Sequence, residues 1–510
     1  MSGAEVQAPR AESGVAVPVD ARSGADAEAF SGSQSHNRAI TSGVLWQGGL
    51  RWLAQILSWS ATIVVARRLS PSDYGIAGTT VFFALFLTLV IDGGLARALV
   101  VTRATDEKTV AQVHTTATIL SWGFAAILCA VAYPIAQIYS EPRIAPVLIF
   151  LSLAIVVNGA TAIRVAVLQQ RLEYRLVAQV EFAKTLTQAV VVLVGAVAGL
   201  GYWALSVGLV SGYVLAYVYA RRLVTIPMMR PDLQELRPQL RYSAQLLASA
   251  LSWYLYSGGD FVVLGRVSGL AALGYYQFAW NIAQLPGEKL ANILQSVVHP
   301  FFGSIGDDRR ALRHYFLVLS ELLVAVVLPI LAGFALLCPI AVPVIFGERW
   351  SASVPIMQIL VACAAMSSVS LLSQHVLGAT GKAMVSARMH LTALLVLPPC
   401  FFVGATLNGP LGVATVWLIF QPLLVGYPLL RLKEVIDLTV GQYLTNLVAP
   451  AVSVLVMVVA VLLAQRMTAG VAPVPQMALL GVLGAIVYCA MYLGLFRPRV
   501  ERILAVWRNR

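Results

Sequence analysis

The amino-acid sequence predicts an all-α polytopic membrane protein with about fourteen transmembrane helices in two pseudo-symmetric lobes. Three features predict this fold: a low charge content over 510 residues, a succession of long apolar runs, and a repeat that relates the two halves. Mean hydropathy is +0.80 and only 11% of the residues are charged, whereas a soluble chain carries charge at about a quarter of its positions. Lipid must therefore cover much of the folded surface.

The excess of basic residues indicates basic loops rather than a nucleic-acid partner. The formal net charge is +12, and the Lys and Arg residues are scattered one to three at a time. Membrane proteins collect basic residues in their cytoplasmic loops. We therefore expect no nucleic acid among the partners.

Fourteen apolar runs are long enough to cross a hydrocarbon core of roughly 30 Å, which takes about 20 helical residues. They are continuous blocks, whereas spanning β-strands would alternate over segments of about ten residues. The eighth run is interrupted by Pro286–Gly287. The predicted spans are 44–66, 75–97, 114–138, 144–167, 176–198, 201–220, 243–265, 271–300, 315–338, 352–376, 384–406, 410–430, 442–465 and 475–495.

The loop charges predict the orientation of the chain. If the N-terminus is cytoplasmic, the loops and tail on that side hold 21 Lys and Arg residues, and the opposite loops hold six. Basic residues favour the cytoplasmic side, so we expect both termini there and an even number of spans. Residues 1–38 lack the basic start and apolar core of a secretory signal and predict a disordered cytoplasmic tail. Residues 496–510 predict a basic cytoplasmic tail.

A weak internal repeat divides the chain. Arg67 and Arg266 follow the first and seventh runs, and Gly75 and Gly274 lie eight residues further on, so both pairs share an offset of 199 residues. Transporters are commonly built from two repeats around a central site. We expect an N-lobe of six to seven helices over 39–220, a basic cytoplasmic linker over 221–241, a C-lobe over 242–430 and two extra helices over 431–495.

Five short stretches resemble the polysaccharide transporter family within the MOP flippase superfamily, particularly its flippases of O-antigen and exopolysaccharide repeat units. The resemblance extends over about residues 40–495, and the order and spacing of the stretches make it specific. The stretches are ARRLSPSDYG at 66–75, DGGLARAL at 92–99, QQRLEYR at 169–175, GLGYWAL at 199–205 and LGYY at 273–276.

The resemblance implies a fourteen-helix, two-lobed protein of the bacterial inner membrane. It implies movement of undecaprenyl-diphosphate-linked oligosaccharides from the cytoplasmic to the periplasmic leaflet, by alternating access through a cationic cavity. The implied partners are the lipid-linked oligosaccharide, membrane lipid, a coupling cation, and the polymerase and glycosyltransferases of the same pathway. The family has no short catalytic motif to carry over.

Ionisable residues inside the predicted spans are the candidates for function, because each is costly if it faces lipid. In the N-lobe, Glu181 and Lys184 are three residues apart and share one helical face. In one interpretation Lys184 meets phosphate or sugar, while Glu181 tunes it or takes part in ion coupling. In the other, the two form a self-satisfied pair between helices.

Two arginines are the other N-lobe candidates for binding the head group. Arg51 has Gln47 and Gln55 four residues to either side, which indicates a polar stripe facing a cavity, or a side chain that reaches the interface. Arg164 lies near the cytoplasmic end of its span. There it either reaches the interface or guards the entrance for a diphosphate.

The C-lobe contributes two basic and two acidic candidates. Lys289 follows the broken, polar part of the eighth run, and irregular backbone survives in a membrane only where it lines a cavity or is buried in protein. Lys289 and, less centrally, Arg388 are therefore expected to contact the head group. Asp260 and Glu321 either bind a coupling cation (H⁺ or Na⁺) or pair with a basic neighbour.

No cofactor, metal or catalytic residue is predicted. The five cysteines lie in apolar runs without metal-ligand spacing, and no Walker-type phosphate loop occurs. Two other functions stay open: a multidrug/cation antiporter, which usually has twelve spans, and a membrane glycosyltransferase or polymerase of the same pathway. The enzymes usually carry a long periplasmic loop, whereas the predicted outside loops are short.

Overall fold

A computed structural model describes residues 57–101, 106–285, 302, 308–380, 382–468 and 470–495. These residues fold into helices joined by short connections. The helices are α1 (57–68), α2 (Pro71–Val90), α3 (Arg97–Val101), α4 (Glu107–Ile138), α5 (Ile144–Gln170), α6 (Tyr174–Val197), α7 (Trp203–Leu223), α8 (Arg237–Ser268), α9 (270–285), α10 (Arg309–Phe346), α11 (Val354–Ala379), α12 (Ala383–Ile436), α13 (Val440–Met467) and α14 (Pro473–Leu495).

The all-helical membrane class predicted from the sequence is confirmed. Ten helices within the described ranges are long and apolar enough to cross a membrane. The predicted limits agree closely with several of them, for example 144–167 against α5 and 442–465 against α13. The count of fourteen spans and the division into two lobes stay predictions, and the proposed tails at 1–38 and 496–510 lie outside the described residues.

Side chains in the connections determine where several helices begin. Ser70 accepts a hydrogen bond from the Asp73 backbone N–H, the Asp73 carboxylate accepts one from the Ser70 N–H, and Pro71 occupies the first helical position. This capping box satisfies N–H groups that have no partner inside the helix. The Asp106 and Asp308 side chains cap α4 and α10 by accepting hydrogen bonds from backbone N–H groups of the first turn, without the reciprocal bond of a capping box. Thus the ARRLSPSDYG stretch encodes the turn between α1 and α2.

Two local departures from α-helical geometry divide long helices. The segment Ile91–Ala96, between α2 and α3, is a π-helical turn, an irregularity that is frequent at functional sites. α12 is broken at Asn408 and Gly409, and Gly409 has φ +52° and ψ −133°, a conformation that essentially only glycine adopts. The predicted boundary between the spans 384–406 and 410–430 coincides with this break.

The helices pack in two successive sets. In the first, α5 packs on α2, α4 and α7, and α6 packs on α7; in the second, α12 packs on α8 and α11, and α10 packs on α11, α13 and α14. Contacts between the sets include those of α8 with α2, α3 and the π-turn. The connection 224–236, from α7 to α8, lies on one face of the bundle, here called the linker face. The opposite face, which holds the α1–α2 turn, is called the far face.

Two glycines allow the sets to meet closely at the far face. A Cβ atom added to Gly75 on α2 would overlap the carbonyl oxygen of Leu270, and one added to Gly274 on α9 would overlap the carbonyl oxygen of Pro71. The contact is reciprocal. The two glycines that share the offset of 199 residues in the sequence therefore lie against each other in the fold.

Hydrogen bonds join the same end of the bundle. Arg67, in the last turn of α1, donates from Nε to the Ile345 carbonyl (2.7 Å) and from Nη2 to the Val344 carbonyl (2.6 Å) at the end of α10. In return, the indole N–H of Trp350 donates to the Ala66 carbonyl at 2.8 Å. Arginine at a helix C-terminus satisfies carbonyls that have no partner in the helix. The far face is thus closed by contacts in both directions.

Candidate functional site

A polar cavity of about 220 Å³ lies between membrane helices of the first set, near the linker face. Its walls come from the π-turn, α3, α5, α6 and α7. On α5 the lining positions recur every three to four residues, which places them on one face of the helix. The lining residues are Ala96, Arg97, Asn158, Thr161, Ala162, Val165, Ala166, Gln169, Glu181, Lys184, Tyr213 and Ala216.

Lys184 and Glu181 form an ion pair in the wall of this cavity. The Lys184 Nζ lies 2.8 Å from the Glu181 Oε2, and the side chains are 26% and 52% exposed, respectively. The ammonium group also lies 5.3 Å from the centroid of the Tyr213 ring, a distance at which a cation is attracted by the ring face. The pair is therefore made and it also lines a cavity, and the contact of Lys184 with phosphate or sugar stays a prediction.

The close approach of α7 to α6 holds Lys184 in place. Gly212 on α7 faces the Lys184 backbone: a Cβ atom added there would lie 2.9 Å from the Lys184 carbonyl oxygen. At Gly208, one turn earlier, an added Cβ would overlap the Val192 side chain. Small residues of this kind let helix backbones approach closely in membranes. The lysine thus projects from a tightly packed helix pair.

Arg164 lies on α5 but does not line the cavity. Its side chain is only 5% exposed; Nε donates to the Val224 carbonyl at 3.2 Å, Nη1 donates to the Ala160 carbonyl, and the guanidinium lies 5.4 Å from the Tyr217 ring centroid. Val224 is the first residue after α7. Arg164 therefore fastens the start of the connection to α8, and its role at an entrance stays a prediction.

Asp260 is the most deeply buried acidic candidate, with no exposed surface. Its Oδ2 accepts hydrogen bonds from the Tyr276 hydroxyl (2.7 Å) and the Trp417 indole N–H (2.9 Å), and its Oδ1 accepts one from the Phe261 backbone N–H (2.8 Å). Within the described part of the chain, no ion pair involves Asp260. The carboxylate thus joins α8, α9 and α12 through aromatic donors.

Aromatic rings surround this carboxylate. Trp280 lies 6.3 Å from Tyr276, 6.0 Å from Phe261 and 5.8 Å from Trp417, measured between ring centroids. Tyr256 packs on Trp417 and stacks on the His390 ring at 5.1 Å. Such pairs add to the stability of a packed core. Asp260 therefore lies inside an aromatic cluster rather than in the polar cavity.

The remaining candidates are separate from the cavity or outside the described residues. Glu321 on α10 is 6% exposed, and Arg388 lies on an exposed part of α12. Arg51 and Lys289 lie outside the described residues. Of the eight candidates, only Glu181 and Lys184 line the cavity that the structure describes.

Several residues of the site were not identified from the sequence. Arg97, the last residue of the predicted span 75–97, was not among the candidates, yet it follows the π-turn directly and lines the cavity. The stripe of Asn158, Thr161 and Gln169 on α5 repeats at helical spacing and could have been recognised. By contrast, Trp417 lies 157 residues from Asp260 in sequence, and no local pattern links them.

The sequence matches the family described as “Polysaccharide biosynthesis protein” over residues 64–355, more than half of the chain. The chain belongs to this family. The resemblance to polysaccharide transporters that the sequence suggested is thereby confirmed, and the chain is a multi-pass membrane protein of the polysaccharide biosynthesis family.

Two curated relatives of this polysaccharide biosynthesis protein each match more than half of the chain. It is 26% identical over 403 residues to the lipopolysaccharide biosynthesis protein WzxC of Escherichia coli (strain K12), which covers 76% of this chain and 80% of that protein. It is 25% identical to the succinoglycan biosynthesis transport protein ExoT of Rhizobium meliloti (strain 1021), over 58% of this chain and 60% of that protein. Both names connect their proteins with polysaccharide synthesis.

Two solved structures show the fold of this family member. The lipid II flippase MurJ in an inward closed conformation matches with a TM-score of 0.74 and 14% identity, over 89% of this chain and 100% of that one. An inward-facing MATE multidrug resistance transporter of the MOP superfamily matches with a TM-score of 0.57 and 14% identity, over 76% and 96%. The helices are therefore arranged as in MOP-superfamily transporters.

Proposed function

We propose that this protein is a flippase that moves undecaprenyl-diphosphate-linked oligosaccharide repeat units from the cytoplasmic to the periplasmic leaflet. The transported units serve the synthesis of a surface polysaccharide such as O-antigen, capsule or exopolysaccharide. The observation that carries the proposal is the cavity between membrane helices, whose wall holds the basic side chains of Lys184 and Arg97.

The chemistry of the cavity suits the polar end of such a lipid. A diphosphate and a glycan cannot cross hydrocarbon unaided, because polar groups without hydrogen-bond partners are costly there. Lys184 and Arg97 supply positive charge, and Asn158, Thr161 and Gln169 supply hydrogen-bonding groups. Their position inside the bundle supports head-group binding while the lipid tail remains in the bilayer.

The arrangement of helices supports alternating access by two lobes. Ten helices within the described ranges are candidate spans, and we infer that α1, α8 and α9 also cross the membrane and that the two arms of α12 cross it separately, which would make fourteen crossings. In this arrangement the closed far face corresponds to the periplasmic side. The basic linker face and both termini are then cytoplasmic, in the inner membrane, as the positive-inside rule favours.

Asp260 and Glu321 are our candidates for the coupling cation, H⁺ or Na⁺. Both carboxyl groups are buried in the second set of helices, and ionisable groups at membrane depth often belong to ion or proton pathways. For Asp260, hydrogen bonds to Tyr276 and Trp417 connect the carboxylate to two further helices. A change in its charge would therefore act on the packing of three helices.

The other basic candidates are assigned to the path of the head group. Arg51, Lys289 and Arg388 would contact the diphosphate before or after it occupies the cavity, and Arg164 would act at the entrance beside the linker. The glycosyltransferases of the pathway would supply the lipid-linked unit, and the polymerase would consume it.

Two alternative functions are less well supported. A glycosyltransferase or polymerase needs room for an active site outside the membrane, whereas the far-face connections between described helices are short and the longest is the 3₁₀ turn around Glu348–Ser353. A drug or cation antiporter shares the fold. That likeness is the one observation in its favour.

Deletion of the gene in its host tests the proposal. We expect loss of the surface polysaccharide and accumulation of lipid-linked repeat units, both reversed by the intact gene and not by Lys184→Ala made at normal levels. Lipid-linked intermediates are measured by mass spectrometry and surface polymer by immunoblotting. Unchanged surface polysaccharide together with increased sensitivity to cationic drugs would instead support the antiporter.

A further inference from the structure

The ion pair in the cavity wall limits how readily Lys184 can bind an anion. Glu181 and Lys184 lie one turn apart on α6, with Oε2 and Nζ separated by 2.8 Å. The Tyr213 ring lies on another side of the same ammonium group. The carboxylate therefore takes up one of the three N–H donors that a lysine can offer an anion.

The pair is exposed to the cavity rather than sealed between helices. About half of the Glu181 side chain is exposed, compared with a quarter of Lys184. The less accessible cation is thus fixed by packing, whereas the carboxylate on its outer side has room to turn away. Two buried polar residues, Asn158 and Thr161, lie in the same wall, so the cavity is built to receive a polar ligand.

The strengths of the competing interactions favour exchange. An ion pair with this exposure changes a folding or binding equilibrium constant by a factor of about five or less. A diphosphate carries more charge than one carboxylate and forms stronger, charge-assisted hydrogen bonds with lysine. The Glu181 carboxylate is therefore strong enough to compete with a singly charged ligand and too weak to exclude a diphosphate.

We propose that Glu181 is an internal competitor for Lys184: it occupies the lysine while the cavity is empty and is displaced by the diphosphate of the substrate. This inference rests on the proposed function, because it assigns a diphosphate to this cavity. Its consequence is selectivity. Diphosphates open the pair readily, whereas singly charged anions such as carboxylates compete with Glu181 at a disadvantage.

Binding of short polyprenyl ligands to the full-length protein in detergent tests the idea. The probes are farnesyl diphosphate, farnesoic acid (a carboxylate on the same isoprenoid chain) and inorganic pyrophosphate, titrated by microscale thermophoresis. We expect Glu181→Gln to bind both farnesyl ligands more tightly, by about three- to fivefold for farnesoic acid and less for the diphosphate. Lys184→Ala should bind the diphosphate several-fold more weakly. The pyrophosphate titration separates recognition of the phosphates alone from recognition that needs the lipid.

The matched control is Glu173→Gln, which removes the same charge at the start of the same helix, outside the cavity lining. It should leave all three affinities unchanged. Glu181→Ala provides a second variant if Glu181→Gln does not fold, as judged by gel filtration. Unchanged or weaker binding by the folded Glu181 variants, with normal binding by the wild type and weakened binding by Lys184→Ala, would overturn the competitor role alone. Failure of the wild type to bind any farnesyl ligand would instead overturn the proposed function.

Discussion

At the scale of single residues, a local contact holds the Glu181–Lys184 pair, whereas contacts between helices hold the Asp260 carboxylate. The proximity of Glu181 and Lys184 follows from helical geometry, because residues three apart share a face, and the structure joins them at 2.8 Å. The environment of Asp260 did not follow, since its donors Tyr276 and Trp417 come from two other helices. Only tertiary packing brings these groups together.

Removing one donor from Asp260 should reduce stability. Trp417→Phe keeps an aromatic ring but removes the indole N–H, which leaves a buried carboxylate oxygen with one hydrogen bond fewer. We expect a loss of about 1–3 kcal/mol in the free energy of unfolding, seen as a lower midpoint in thermal unfolding followed by far-ultraviolet circular dichroism in detergent.

Trp122→Phe serves as the control for this change, because Trp122 is 63% exposed on α4. It should leave the unfolding midpoint nearly unchanged. If Trp417→Phe is as stable as Trp122→Phe, the hydrogen bond to Asp260 contributes nothing to the fold.

At the scale of elements, apolar runs and loop signals located most helices within a few residues. They succeeded because a backbone group in a membrane-spanning helix must be paired within that helix. The length and hydropathy of a run are therefore enough to locate the helix. They did not locate the π-turn at Ile91–Ala96 or the contact between α2 and α9. The first leaves no mark on length or hydropathy, and the second depends on two glycines that are 199 residues apart in sequence.

The contact of α2 with α9 predicts that alanine destabilises the protein at Gly75, which lies in the contact, but not at Gly123, which lies outside it. Gly75→Ala places a methyl group where the Leu270 carbonyl lies, and we expect destabilisation of about 1–3 kcal/mol, the typical cost of overpacking. Gly123→Ala, on α4, meets nothing within 4 Å. It should be neutral or stabilising by about 0.5–1 kcal/mol, because alanine favours the helix.

Thermal unfolding of both variants in the same detergent provides the measurement. Equal midpoints for Gly75→Ala and Gly123→Ala would show that α2 and α9 do not meet as closely as described.

At the scale of the whole molecule, the two glycines that share the offset of 199 residues face each other at the far face of the bundle, while the repeat itself stays a prediction. Arg67 and Trp350 reinforce that end by bonding to backbone carbonyls of the opposite set of helices. Which end is closed could not be predicted from sequence, because these partners lie more than 270 residues apart. The far face is closed and the polar cavity lies near the linker face. We propose that the protein receives its substrate in this state.

The central claim is that the cavity around Lys184 carries a diphosphate-linked glycan across the bilayer. Translocation of a fluorescent polyprenyl-diphosphate-linked oligosaccharide in proteoliposomes, followed by its accessibility to an external lectin, tests this claim directly. We predict that the wild type and Trp122→Phe accelerate translocation well above protein-free vesicles, and that Lys184→Ala is slower by about tenfold, as expected for the loss of a charged hydrogen bond. No acceleration by the wild type, or equal rates for the wild type and Lys184→Ala, would contradict the claim.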